Sequence, residues 1–409
     1  IVEPEPEPEP EPEYNLCGVG KDAQRPPGTW EEPIDAPFSP FVDEGDTALS
    51  PSDEATHYDC KPETLEYGPE TVYRFTTQHA GDFRAEVVDG VGVDIDLHLL
   101  QDPEIGADGL VTGCLARAHE LLIYEDLPPG DYWLVADSWT SASSLEEYPG
   151  AYRIAWEVVS PNVWTEVTVR EGVTWSRARL ESGGEVQTVN VLRFDPSTGW
   201  DLQPNKHSGC KTVSQAMETI DAFAGVNANF YDSCAPTDLL KEDGVLHTTN
   251  QTTSFEQRTI GWNDPTNIQF QWIAPGLDWP EVSNAVGGYP SLVDSGQALA
   301  AVKPGEQVWS ATDWAQNPRT VVGVDSNGAL VMATFDGRTD AGDGYSTPAL
   351  ATWVAQELDL VHAINLDGGG STTMVVRDCW MNHTVSYPSD NEIDDHEGLR
   401  AVASGLYLR

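Results

Sequence analysis

Between residues 73 and 159 the chain breaks into short stretches in which apolar and polar residues alternate, and no stretch there holds a helical period. These are YRFTT (73–77), FRAEVV (83–88), DIDLHLL (94–100), HELLIYE (119–125), DYWLVAD (131–137) and AYRIAWEVV (151–159), all rich in β-branched or aromatic side chains. Gly81, Gly90, Pro128-Pro129-Gly130 and Pro149-Gly150 separate them. Period-two alternation gives each strand one apolar face, and strands of this length and spacing bury such faces as a β-sandwich or jelly roll.

A chain of 409 residues exceeds one typical domain. Residues 3–13 read EPEPEPEPEPE, where proline blocks helix and ladder bonding and like charges repel, so an extended polyproline spacer is expected. The expected division is a tether and linker over 1–32, a β-sandwich accessory domain over 33–160 and a catalytic domain over 161–409, with the boundary at Ser160-Pro161-Asn162. Beyond 161, Val213, Ala216, Met217 and Ile220 share one helical face within 212–223, and the strand GVNANF (225–230) follows. The strand ALVMATF (329–335) precedes a helix with Thr347 as its cap and Pro348 at its first position. That helix buries Leu350, Val354 and Leu358 and leads into the strand VHAINL (361–366). The two helix-to-strand units resemble each other, and Arg258-Thr-Ile-Gly echoes Arg319-Thr-Val-Val-Gly. The expected fold class is therefore α+β: an all-β sandwich, then a larger mixed α/β domain with an internal duplication.

Acidic residues number 67 against 21 Lys and Arg, a formal charge of −46. Such a field repels nucleic-acid backbones and anionic lipid surfaces, so neither is an expected partner. No apolar run reaches the length of a spanning helix, and no secretory leader is visible at the start. Six cysteines without CxxC spacing, together with low lysine content, fit an exported or cell-surface protein with disulfides. Proximity favours Cys60 with Cys114 and Cys210 with Cys234, leaving Cys17 and Cys379 as a longer bridge or as free thiols.

The most informative run lies between 318 and 374. Asp336-Gly337-Arg338 ends one strand and Asp367-Gly368-Gly369-Gly370-Ser371 ends another, so two carboxylates stand beside loops whose backbone a ligand can approach. Upstream lie Asn227-Ala-Asn229-Phe230-Tyr231-Asp232, Gly287-Gly288-Tyr289-Pro290-Ser291-Leu292 and Arg319-Thr320. Near the end lie Asn391-Glu392 and His396-Glu397-Gly398-Leu399-Arg400-Ala401-Val402. With NLDGGGST and the DGR segment, these elements resemble the phosphodiester glycosidase family over roughly 180–409. Tyr231 and Leu399 depart from the family pattern, and the second departure leaves the role of Glu397 open. The 33–160 region, with its ETVYRF, VDIDLHL, LPPGDYWLV and GAYRI pieces, resembles the bacterial pre-peptidase C-terminal domain found beside many secreted hydrolases.

The resemblance implies cleavage of the bond between a sugar anomeric carbon and a phosphodiester oxygen. The leaving group is stable as an anion, so the chemistry asks for a carboxylate at the oxocarbenium-like carbon and guanidinium groups at the phosphate. Asp367 is assigned as base or nucleophile and Asp336 as its partner. Arg338, Arg319 and Arg258 are assigned to phosphate. Gly368, Gly369, Gly370, Ser371 and Gly288 are placed in the substrate-binding loops, and Asn227, Asn229 and Asn365 at sugar hydroxyls or an N-acetyl group. Each has a plainer reading: Asp336 as a turn residue, Arg319 and Arg258 as partners of nearby acids, and Asn227 with Asn229 as a structural ladder. No zinc spacing is present among His207, His247, His362, His383 and His396, and no cofactor is required. Asp94-Ile-Asp96 and the acidic run 390–395 are candidates for structural calcium, against a reading as solvated turns.

The expected function is an exported glycosidase that hydrolyses a sugar-1-phosphodiester in a glycan or wall polymer. The alternatives are a non-catalytic glycan-binding surface protein and a general glycoside hydrolase or phosphodiesterase on the same core.

Overall fold

The computed structural model describes residues 14–15, 17–19, 25–37, 39–251, 254–299, 315–340 and 342–409. The spacer expected at 3–13 lies outside the described residues. The chain divides into two compact units, one of Ile1–Ser160 with Asp378–Met381 and the other of Pro161–Arg377 with Asn382–Arg409.

The first unit is built from two six-stranded sheets. One runs through Phe41–Asp46, Ala151–Val159, Gly81–Asp89 and Leu121–Leu127 as successive neighbours. The other runs through Ile34–Ala36, Glu70–Thr77, Gly130–Ser138, Ile95–Ile105 and Leu110–Ala118. Inward residues of both sheets, among them Phe41, Phe83, Trp156, Tyr73, Leu97 and Leu134, form one buried cluster. The alternation in the sequence is this inner and outer face. Leu110–Ala118 escapes a search for alternation because its inner positions are interrupted by a register shift against Ile95–Ile105. Gly113 sits there with φ of 83°, and a side chain would collide with the Gln101 carbonyl. Two bridges lie in this unit, Cys60–Cys114 and Cys17–Cys379. The second carries the 378–381 segment, whose Trp380 packs with Val42 and Ala155.

The second unit is β-rich, which corrects the expectation of a mixed α/β domain. An antiparallel eight-stranded sheet holds Glu185–Phe194, Leu330–Phe335, Arg319–Asp325, Leu360–Asn365 and Ser291–Asp294 as consecutive strands. A four-stranded sheet pairs Leu202–Lys211, Val402–Leu408, Ala224–Asn227 and Met374–Val376, and a five-stranded sheet contains Leu240–Glu242, Asn284–Gly287 and Gln257–Trp262. Two α-helices, Val213–Thr219 and Thr347–Glu357, occur among the described residues.

The first helix starts at a capping box between Thr212 and Gln215 and stops early, with Asp221 at φ of 53° just beyond it. The second is capped by Ser346, whose side chain accepts from the Ala349 N–H, so Thr347 is the first helical residue and not the cap. Its Leu350, Val354 and Leu358 do pack into the core of the large sheet, beside Val189, Val321 and Val331. Cys210–Cys234 closes a 24-residue separation in this unit. No helix among the described residues is long and apolar enough to cross a membrane.

Candidate active site

The central Leu360–Asn365 strand leaves the large sheet directly into the glycine-rich segment. Leu366 N–H still donates to the Thr320 carbonyl at 2.8 Å, but Asp367 N–H donates to the Ala228 carbonyl at 2.9 Å, next to the four-stranded sheet. Asn227, buried at the end of its strand, ties the two sheets together. Its Nδ2 donates to the Asp367 main-chain oxygen at 2.7 Å, and its Oδ1 accepts from Thr320 Oγ1 at 2.7 Å and from Thr373 N–H at 3.1 Å.

The Asp367 side chain is half-buried on this support. It accepts from its neighbour Gly368 N–H at 3.0 Å, and the Ser371 hydroxyl also hydrogen-bonds it. Burial penalises the carboxylate and outweighs these bonds and the charge of Arg400. With a further push from Asp238, the pKa rises to about 6. A carboxyl titrating there serves proton transfer near neutral pH better than an ordinary aspartate.

Two guanidinium groups lie over the glycines. A side chain on Gly369, which sits at φ of 59°, would come 3.1 Å from Arg338 Nη2. One on Gly370 would collide with Asp390 and with the Arg400 guanidinium. Arg400 holds Asp390 through two bonds of 2.7 and 2.5 Å, and that bond raises its pKa further. Tyr231 is within electrostatic reach of Arg400 and donates its hydroxyl to the Ala401 carbonyl at 3.1 Å. Arg338 is exposed, its backbone is left-handed with φ of 67°, and its guanidinium donates to Asn317 Oδ1 at 2.7 and 3.2 Å. A non-glycine residue held there costs roughly 1–2 kcal/mol, an expense concentrated at functional positions.

Other expected site residues lie in the framework. Asp336 is fully buried, and burial drives its pKa well above the usual range despite the nearby Tyr387 backbone and Arg177. Its carboxyl has no solvent face, so it cannot meet a substrate as the partner of Asp367. Arg319 is buried and donates to the carbonyls of Tyr345 and Ala315 at 2.9 and 3.0 Å. Arg258 packs on the rings of Phe270 and Trp272 and pairs with Asp294 at 3.3 Å, beside His362. His362 precedes Asp367 by five residues, roughly 16 Å along an extended chain, so Arg258 serves the far end of the strand. Asn229 spends its amide on the carbonyls of Leu239 and Gly287 and on Ser404, and Asn365 donates to the carbonyls of Tyr289 and Leu366. Gly288 is buried where a side chain would strike the Asn365 carbonyl. The N–H groups of Gly368 and Gly369 are consumed by Asp367 and by the Pro318 carbonyl, so they do not donate to a ligand approaching the loop.

Three residues beside Asp367 or its glycine turn were not among the expected site residues. Arg400 stood in the closing motif and was readable as a candidate. Asp390 was hidden in an acidic run. Asp238, fully buried and accepting from Gln257 at 2.9 Å, carried no motif signal.

Asp367, titrating near neutral pH, thus stands on a glycine-rich turn over which the guanidinium groups of Arg338 and Arg400 lie. Residues 221–409 match the sequence profile of the phosphodiester glycosidase family. A segment of 74 residues, 18% of this chain, is 45% identical to the N-acetylglucosamine-1-phosphodiester alpha-N-acetylglucosaminidase of Mus musculus and spans 13% of that relative's length. The solved catalytic domain of the zebrafish enzyme of that name, auto-inhibited by its pro-peptide, aligns with a TM-score of 0.47 at 17% identity over 60% of this chain and 87% of that one. A hypothetical protein from Synechocystis aligns with a TM-score of 0.51 at 14% identity over 84% of this chain and 77% of that one, a likeness of fold.

Proposed function

We propose that the second unit hydrolyses a sugar-1-phosphodiester, with Asp367 acting at the anomeric carbon and Arg400 and Arg338 receiving the phosphate. The observation that carries this reading is the close approach of the Arg338 and Arg400 guanidinium groups to Gly369 and Gly370, in the turn that follows Asp367. The departing phosphate monoester is already stable as an anion and needs no proton, so the site has to stabilise separating charge: a cation-like ring facing Asp367 and an anion facing the arginines. Positive charge fixed at this point also offsets the repulsion that a chain of net charge −46 exerts on an anionic substrate. Asp238, as fully buried as Asp336, acts on Asp367 through its charge, which raises the Asp367 pKa, and does not meet the substrate. Asn227 and Ser371 act as positioning residues, one on the Asp367 backbone and the other on its carboxyl. Paired cysteines support an extracytoplasmic setting, where a glycan or wall polymer is the substrate class. The likeness of the first unit's sequence to the pre-peptidase C-terminal domain fits an accessory role there.

The test is hydrolysis of a chromogenic sugar-1-phosphodiester by the purified full chain, with an aryl glycoside of the same sugar as control. Turnover of the phosphodiester that disappears in Asp367→Asn while binding persists supports the proposal. Binding without turnover by the unaltered protein would replace it with the glycan-binding reading, and faster cleavage of the aryl glycoside with the general glycosidase.

A further inference from the structure

The first unit holds a second cluster of donors that the reaction does not use. Asp89 ends the Gly81–Asp89 strand, Asp94 stands in the connection to Ile95–Ile105, and His119 follows the Leu110–Ala118 strand. One donor atom from each lies within 4.8 Å of the other two. His119 Nδ1 is 3.1 Å from Asp94 Oδ1 and 3.4 Å from Asp96 Oδ1. Ligands at the ~2.0–2.2 Å bond lengths of zinc stand about 3.3 Å from one another in a tetrahedron, so these spacings already suit one ion.

Two further features distinguish this cluster from a solvated acidic turn. Asp96 is fully buried; its Oδ2 pairs with Arg117, while its Oδ1, facing His119, accepts no hydrogen bond. Asp89 Oδ2 accepts the Ile95 N–H at 3.1 Å, but Asp89 Oδ1 is sealed from solvent with no donor. A buried carboxylate oxygen without a donor is costly, and a bound cation removes that cost. Protonation of His119 would serve Asp94 and Asp96 but leave Asp89 Oδ1 without a partner. The Asp94 backbone is fixed from both sides, by Tyr148 and Trp139, so the carboxylate is presented without further ordering. The His119 side chain is 50% exposed, which leaves a route for entry.

We propose that Asp89, Asp94 and His119, with Asp96 behind them, bind a divalent transition-metal ion of the zinc class. The imidazole nitrogen separates this from a calcium site made of oxygen donors alone, the expectation for Asp94 and Asp96 from sequence. The ion joins one strand end, one connection and a neighbouring strand end, so it stabilises this unit and is independent of turnover.

The full chain, stripped with a chelator and titrated with zinc chloride, should take up one ion per chain and melt at a higher temperature. His119→Ala and Asp94→Asn should each weaken uptake at least tenfold and abolish the rise in melting temperature. Absence of stoichiometric uptake by the unaltered chain overturns the proposal. So does zinc uptake that His119→Ala leaves unchanged, and so does a matching response to calcium that is indifferent to His119→Ala. Should a variant fail to fold, nitrogen NMR of the unaltered chain decides. The His119 Nδ1 resonance must move on zinc addition, and a stationary resonance refutes the site.

Discussion

The Asn227 side-chain amide donates to the Asp367 main-chain oxygen at 2.7 Å, while the same side chain accepts from Thr320 and Thr373. One buried amide thus fixes the point at which the chain leaves the large sheet and enters the glycine turn. Asn227→Ala should leave up to three buried polar groups without partners, a loss of roughly 2–4 kcal/mol. The expected outcome is a melting temperature lower by several degrees, with the largest loss of turnover in kcat. An unchanged melting temperature in differential scanning calorimetry would place the amide outside this role.

Gly370 separates folding from function. A methyl group there collides with Asp390 and Arg400, both partly exposed side chains that can swing aside, and not with a rigid backbone. Gly370→Ala should therefore fold with nearly unaltered stability yet lose at least about tenfold in kcat/KM, because the Arg400 guanidinium is pushed from its place. Equal kcat/KM for variant and parent would remove Arg400 from the proposed phosphate contacts.

The fold was legible wherever the apolar pattern had a single partner, and the site was legible only in part. The six strands between 73 and 159 and the Leu350, Val354 and Leu358 face report directly on burial, so alternation and helical spacing reveal them. In the second half both expected helices occur and ALVMATF is the strand its apolar run suggests; the expectation of a mixed α/β domain gave way because strands left unassigned from the sequence, such as Glu185–Phe194, join it in one antiparallel sheet. At the site, the motif marks Gly369 and Arg338 through their left-handed backbones, Gly370 through the side chains packed over it, and Asp367 through the turn its carboxyl holds. Asp336 and Arg319 lie in the same motif for another reason: they brace the strand ends on which the loop stands. A motif records both kinds of constraint in the same letters. Asp238 and Asp390 reach the site from distant segments, which only tertiary packing brings close.

With its pKa near 6, Asp367 should shape the acid side of the pH–rate profile. A base or nucleophile must be deprotonated, so kcat/KM should rise with pH through about 6 and level off above it. Arg400 favours the charged carboxylate, and Arg400→Gln should move this limb to higher pH as well as lower the plateau. Rates measured between pH 4 and 9 check both. A limb falling through the same range would instead assign Asp367 as a general acid.

A buried acid in the first unit should make stability itself depend on pH. Glu66 is 1% exposed, and burial, together with Asp137 and Asp96, lifts its pKa from 4.5 to about 11 against the opposing charge of Arg117. The folded chain therefore keeps a proton on Glu66 at neutral pH, whereas the unfolded chain releases it above 4.5. The stabilisation this proton provides is complete below pH 4.5 and is lost progressively as pH rises above it, through neutral pH. Glu66→Gln has the shape of the protonated acid and nothing to release. Its melting temperature should match the parent near pH 4.5 and exceed it increasingly from pH 6 to 8. Parallel melting curves for the two proteins across that range would mean that Glu66 is ionised in the fold.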